Sequence, residues 1–260
     1  MIGELKDYVV KLIFLGVSSA FCLGEGHFQS NMLIESSSGK KMLIDCGTDV
    51  RHSLFAQGYM HGHIDAVYVS HLHSDHTGGL EWLGFSKWFV DKQKPSFYIS
   101  VDQVDEVWNQ VLQGGMSSLE DQEANLSSYF QIEPIENNRF IWENYTFQLI
   151  KTNHMYSNGQ LKPSYGLLIS GGTKKIFITT DARFSPDMFQ SCFAEADLIF
   201  HDCETSTWKS GQHARYEELK TLPLKVKQKM WLYDYNDGKL PDAQKDGFLG
   251  FAVRGQTFIF

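Results

Sequence analysis

The stretch "SHLHSDHTGGLEWL", residues 70–83, sets His71, His73, Asp75 and His76 within six positions. Imidazole nitrogen and carboxylate oxygen together suit a borderline divalent cation such as zinc. Four such ligands in one turn exceed what a single tetrahedral ion takes once other segments contribute, so two ions are expected. Three later residues share one setting, in which a strand-like run ends and a ligand-type side chain follows. "FQLIKTNH" ends at His154, "KKIFITTD" at Asp181 and "KMWLYD" at Asp234. A carboxylate such as Asp181 can bridge two cations, which a neutral imidazole cannot. A further polar segment, "HDCETSTWKSGQHARYEEL", adds His201, Asp202, Glu204 and His213. His213 precedes a helical run, where it could face substrate instead of metal.

These residues need a scaffold that gathers strand ends. Reading "AVYVS" as a strand places His71 just past its tip, before a helix that Gly78 and Gly79 let begin tightly packed. "VVKLIFLG", "SNMLIES", "KKMLIDCG" and "PSFYISV" are also strand-like, punctuated by glycine and polar residues. "DVRHSLFAQG" and "GLEWLGFSKWFV" have helical spacing, and "DQVDEVWNQVLQGG" predicts a helix capped by Asp102 and closed by Gly114 and Gly115. Further strands follow, from "YFQIEPI" through "NRFIWENYTFQLIKTNH", "YGLLISGG", "KKIFITTD" and "DLIFHDCET" to "KMWLYDY". "GFAVRGQTFIF" reads as one last strand. Two strand groups with helices between and after them predict two sheets with helices outside. No repeat, low-complexity tract or Pro-rich linker divides the chain, so residues 1–260 are read as one domain.

A length of 260 residues allows a large core. The aromatic share of 14% is high; most rings are assigned to core or interface, including Trp82, Phe85, Trp88 and Phe89 at helical spacing, and a few are left to stack on a base. A net charge of -8 argues against a general nucleic-acid binder, which needs a basic stripe. It leaves room for a small anion drawn to a local metal charge. Cys22, Cys46, Cys192 and Cys203 are scattered, so free thiols and a reducing cytoplasm are expected. The early apolar run is too short for a signal or a membrane span and reads as a strand. His27, His52, His61 and His63 are read as surface residues, and Cys203 as a buried structural thiol.

"HLHSDHTGG" resembles the signature loop of the metallo-β-lactamase fold, an αββα sandwich of two mixed sheets flanked by helices. "FLGVSSAF", "DLIFHDCET" and "GQHARYEEL" are similar to segments of its ribonuclease Z-like phosphodiesterase branch. "FQSNMLI", "LIDCG", "SHLHSDHTGGLEWLGF" and "FHDCET" look like the anti-Pycsar proteins, phage enzymes with bacterial relatives that hydrolyse cyclic mononucleotides used as antiviral signals. The resemblance runs over nearly the whole chain.

It implies a homodimer that binds two Zn2+ (or Mn2+ or other divalent ions) per chain and opens a 3',5'-cyclic nucleotide to the 5'-monophosphate. His71, His73 and His154 would hold the first ion, and Asp75, His76 and Asp234 the second, with Asp181 bridging. The catalytic residues would be Asp75, steering the nucleophile's proton, and His213, oriented by Asp202. His213 would contact the phosphate or protonate the leaving oxygen. One departure concerns Asp234 in "LYDY", where the ribonuclease Z branch has histidine. Zinc accepts carboxylate oxygen too, so the departure bears on how the second ion is held. In the relatives a loop of one subunit completes the partner's pocket, and "CLGEGHFQ" is the candidate here.

Two other enzyme classes share the loop. A tRNA 3'-processing nuclease carries an arm between the residues matching His154 and Asp181. Here that stretch is "MYSNGQLKPSYGLLISGGTKKIFITT", too short for an arm, so no tRNA partner is expected. A glyoxalase-type thioester hydrolase usually adds a helical C-terminal region, whereas this tail is strand-rich. A non-catalytic cyclic-nucleotide sponge is the third alternative, raised by Asp234 alone.

Overall fold

The computed structural model describes residues 10–24 and 26–260. The first strand is Lys11–Phe14, and the expected start at Val9 lies outside the described residues. Its alternation sets the layers. Leu12 and Phe14 join one buried cluster, while Ile13 joins another with Leu33, Leu43, Val67 and Val69. A sheet apolar on both faces must be covered on both.

The first sheet has the order Thr257–Ile259, Lys11–Phe14, Met32–Glu35, Lys41–Ile44, Ala66–Val69, Ser96–Ser100 and Gln131–Ile135. The second has the order Gly250–Phe251, Met230–Tyr233, Leu198–Asp202, Ile176–Ile178, Tyr165–Ser170, Tyr145–Lys151 and Arg139–Trp142. Between them Met42, Ile44 and Tyr68 meet Phe147, Leu167 and Ile178. The helices Val50–Ala56 and Leu80–Ser86 cover the first sheet through Leu54 and Leu83. Gln190–Glu195 and Tyr216–Leu219 cover the second through Phe193 and Leu219. The result is the αββα sandwich that the sequence suggested.

Parallel pairing gathers the chemistry. Lys41–Ile44 and Ala66–Val69 run parallel, so Asp45 and residues 70–76 leave the first sheet at one edge. Ile176–Ile178, Leu198–Asp202 and Met230–Tyr233 run parallel in the second, so Asp181, Asp202 and Asp234 emerge together. Such carboxyl ends are where open α/β sheets bind ligands. Close contact between the loops requires glycine: a Cβ on Gly47 would lie 2.0 Å from Asp75 O, and one on Gly79 would lie 2.4 Å from Gly47 O.

Three local expectations are corrected. "GFAVRGQTFIF" forms two strands, because a turn at Gly255 (φ 80°) separates Gly250–Phe251 of the second sheet from Thr257–Ile259 of the first. Gly114 and Gly115 do not close their helix, which continues through Gln113–Met116 because Met116 is drawn into the core and Tyr129 Oη donates to its carbonyl. Asp102 lies inside the first turn, Val101–Gln103, and its carboxylate instead accepts from Tyr165 Oη at 3.0 Å. Phe85 and Trp88 pack on the buried Tyr129, whereas Phe89 is exposed. All four cysteines are free thiols. Among the described residues, no helix is long and apolar enough to cross a membrane.

Candidate metal centre

Three strand tips that converge here hold non-glycine residues in the left-handed region: Asp45 (φ 63°), Thr180 (φ 51°) and Asp234 (φ 60°). For β-branched Thr180 this is strained, and such strain gathers at functional sites. Thr180 directly precedes Asp181, whose carboxylate is buried.

Hydrogen bonds decide which ring nitrogens are free. Gln212 O can only accept, so His154 donates from Nδ1 (3.0 Å) and turns an unprotonated Nε2 inward. Asp45 Oδ2 accepts from Ser70 Oγ (2.9 Å) and from His76 Nδ1 (2.8 Å). Ser70 Oγ is then an acceptor for His71 Nδ1 at 3.1 Å, which leaves His71 Nε2 without a proton. The free Nε2 atoms of His71 and His154 lie 3.0 and 3.2 Å from His73 Nδ1. His73 Nδ1 can donate to only one of them, so a lone pair is left facing a nitrogen. Asp181 Oδ2 lies 3.7 and 3.6 Å from the same two Nε2 atoms. Three imidazoles and a carboxylate around one point are donors that zinc takes.

A second set lies on the other side of Asp181. Asp75 Oδ2 and Asp181 Oδ2 are 3.2 and 3.3 Å from His76 Nε2. Even so, His76 Nε2 and Asp181 Oδ1 are buried without a hydrogen-bond partner. Each such orphan costs about 1–3 kcal/mol, a cost a cation accepting both lone pairs would remove. Burial lowers the His76 pKa, but the carboxylates of Asp181, Asp75 and Asp45 outweigh it and hold the ring well above the usual range. They draw in a proton where a cation would serve.

The third set joins Asp181, Asp202, His213 and Asp234. His213 donates from Nδ1 to Asp202 Oδ2 at 2.8 Å, and its Nε2 lies 4.0 Å from Asp181 Oδ2. Asp202 also accepts from Ala182 N (2.8 Å) and Ala214 N (3.3 Å). Burial pushes Asp202 up to about 6; His213 is lowered by burial but held well above its usual range by Asp202 and Asp181. At neutral pH the pair is therefore carboxylate and imidazolium. Asp234 Oδ2 lies 3.4 Å from His213 Nδ1, and its Oδ1 accepts from Ser30 Oγ at 2.6 Å. Burial, then the charge of Asp181, push Asp234 up to about 8. Asp234 thus groups with His213, and meets the Asp75–His76 set through the shared Asp181.

Asp45, Asp75, Asp181, Asp202 and Asp234 crowd this region, and their ion-pair partners among the described residues are histidines. Buried charge without opposite charge is costly. The donor set therefore fits two divalent cations.

Asp45 was not singled out from the sequence, although it ends the strand of "LIDCG". It fixes the tautomers of His71, through Ser70, and of His76 directly. Asp45→Asn can turn an amide N–H toward His76 Nδ1 and reverse that choice. Its zinc affinity is expected to fall about 10–100-fold, the usual effect of losing such a support. Competition against a chromophoric chelator measures this, and unchanged affinity would remove Asp45 from that role. Arg183 was also missed: its Nε donates to His154 O (2.8 Å) and its Nη2 to Gln212 Oε1 (3.0 Å). His201 is buried against Phe189 and Phe193 and donates to its neighbour's carbonyl, outside the centre. Glu204 accepts from Ser210 N and Ser206 Oγ and shapes a loop. His61 pairs with Asp91.

The centre opens into a cavity of about 420 Å³ lined by His73, Asp75, His154, Asp181, His213 and Asp234, with Phe21 and Trp208 also on its wall. A family model described as "Anti-Pycsar protein Apyc1" matches residues 10–258. An anti-Pycsar protein Apyc1 from Paenibacillus harenae is 32% identical over 226 residues, 86% of this chain and 88% of its own. The one from Bacillus phage vB_BveM-Goe7 is 30% identical over 261 residues, 96% and 98% of the two chains. The crystal structure of the metallo-β-lactamase fold protein YhfI from Bacillus subtilis superposes with a TM-score of 0.76 at 20% identity, covering 97% of this chain and 100% of its own.

Proposed function

Because the chain belongs to the anti-Pycsar protein family, we propose that it is a metal-dependent phosphodiesterase opening 3',5'-cyclic mononucleotides to nucleoside 5'-monophosphates. It would thereby remove a cyclic-nucleotide antiviral signal. The observation that carries the reading is the pair of buried Asp202 with the half-buried His213, aimed at Asp181 beside the histidine cluster in one cavity.

In this reading His71, His73 and His154 hold one divalent ion, zinc in the first instance. Asp75, His76 and Asp234 hold a second, and Asp181 lies between them. When bound, such ions stabilise charge on the phosphoryl oxygens and make water acidic enough to attack near neutral pH. The remaining steps belong to side chains. Asp75, on the cavity wall, accepts the proton the attacking water gives up. An oxygen–phosphorus bond forms, the bond from phosphorus to the 3' oxygen breaks, and His213 Nε2 protonates the departing oxygen. Asp202 steadies the imidazolium beforehand and keeps Nδ1 turned away from the substrate throughout. One water is added in total.

A homodimer is part of the same proposal. Between His154 and Asp181 the chain forms the hairpin of Tyr156–Ser157 with Gln160–Leu161 and two sheet strands, which supports a small substrate over a tRNA gripped by an inserted arm. A panel of 3',5'-cyclic mononucleotides, cyclic dinucleotides and precursor tRNA tests this on zinc-loaded protein. Turnover of the mononucleotides is expected. Cleavage of precursor tRNA with no action on them would substitute the ribonuclease Z reading, and stoichiometric binding without turnover the sponge.

A further inference from the structure

We infer that Phe21 and Trp208 form an aromatic platform for the substrate's nucleobase, held in place by Asn236. This rests on the cyclic-nucleotide reading of the centre beneath it.

The two rings are 76% and 49% exposed, in a chain that buries most of its large aromatic side chains. Their centroids are 6.2 Å apart at an interplanar angle of 56°, and both line the cavity that holds His213, Asp181 and Asp234. At that tilt they make no parallel slot. They present one apolar wall, on which a base can lie against the face of one ring and the edge of the other. Exposed rings in a cavity that leads to phosphate-directed groups are suitably placed for a base tethered to that phosphate.

The rings sit on separate loops, and those loops are tied down. Asn236, two residues beyond Asp234, accepts at Oδ1 from Thr205 N and Ser206 N, both at 2.9 Å. Its Nδ2 donates to Ser19 Oγ at 2.8 Å. One side chain thus joins the loop of Trp208 to the loop of Phe21. Glu204 fixes the far flank of Trp208 by accepting from Ser210 N at 2.9 Å. Asp237 fixes the far flank of Phe21 by accepting from Leu23 N at 2.9 Å. Exposure here does not mean loose anchoring, so little ordering is left for a ligand to impose. Beside the rings the wall carries Ser19, Ala20 and Ser210, and its longer polar side chains, Glu204, Gln212 and Asn236, are already hydrogen-bonded to Ser210 N, Arg183 Nη2 and Ser19 Oγ. Stacking that leaves recognition to the rings accepts any base, because every base has a π face.

The test compares a 3',5'-cyclic mononucleotide with the 3',5'-cyclic phosphate of abasic deoxyribose, using wild type, Phe21→Ala, Trp208→Ala, Phe21→Tyr and Asn236→Ala. The preference in kcat/KM for the nucleotide over the abasic compound is expected to fall about tenfold or more in each alanine ring variant, the scale of one lost stacking contact. Phe21→Tyr should keep the preference, and Asn236→Ala should reduce it without touching either ring. An unchanged preference in the ring variants would overturn the inference. So would a change in their oligomeric mass by light scattering, which would assign the rings to a subunit contact. If the wild type turned over no cyclic nucleotide, the reading of the centre would fail instead.

Discussion

Asp181→Ala is expected to lower kcat/KM toward a cyclic mononucleotide by about 10³-fold or more, the scale on which loss of a charge-stabilising group acts. Asp181 belongs to all three donor groups of the centre, and among the described residues no other side chain belongs to more than one of them. Its Oδ1 is buried and unpartnered, and its Oδ2 lies within 4.0 Å of four imidazoles. Removing it takes away the carboxylate that the two halves share. Zinc that binds the folded state raises Tm by mass action, and that zinc-dependent rise is what the variant should lose. Melting with and without zinc, with elemental analysis of the same samples, separates this from damage to the core. A variant that keeps the wild-type metal content and the wild-type rise in Tm would show that Asp181 is not a ligand.

The second large effect is expected at His213. Substitution by glutamine should reduce kcat by about 10²–10⁴-fold, the range over which a positioned acid acts. The pH profile adds a sign. Burial alone would lower the His213 pKa, but Asp202 and Asp181 hold it well above the usual imidazole range. The acid form is then present at neutral pH and lost as pH rises through that raised value. Wild-type kcat should fall on the alkaline side, and this limb should be missing in His213→Gln. Metal content should stay at the wild-type level. A loss of one ion would instead make His213 a ligand, in the place assigned to Asp234.

Legibility followed sequence distance. His71, His73, Asp75 and His76 stand within six positions, and His154, Asp181 and Asp234 each follow a strand-like run, so type and setting exposed them. Asp45 has a similar setting, yet its role depends on Ser70 and His76, which are 25 and 31 positions away and reach it only through parallel pairing of two strands. Asp234 showed its carboxylate but not its direction; the left-handed backbone at that residue and Ser30 set it beside His213. The sequence left a few rings for base stacking without marking Phe21 and Trp208 among them. Contacts such as that of Asn236 with Ser19, 217 positions apart, bring their loops to one mouth. The tail was misread as one strand because both of its halves are apolar and β-prone, and only the turn at Gly255 sends them to different sheets.

The most direct test follows the wild-type protein with a large molar excess of a 3',5'-cyclic mononucleotide in oxygen-18 water, with products read by chromatography and mass spectrometry. The expected result is nucleoside 5'-monophosphate carrying one heavy oxygen on phosphorus, formed over many turnovers, abolished by chelation and restored by zinc. Cyclic nucleotide that stays intact beyond one bound equivalent, or a 3'-monophosphate product, would contradict the mechanism proposed for this centre.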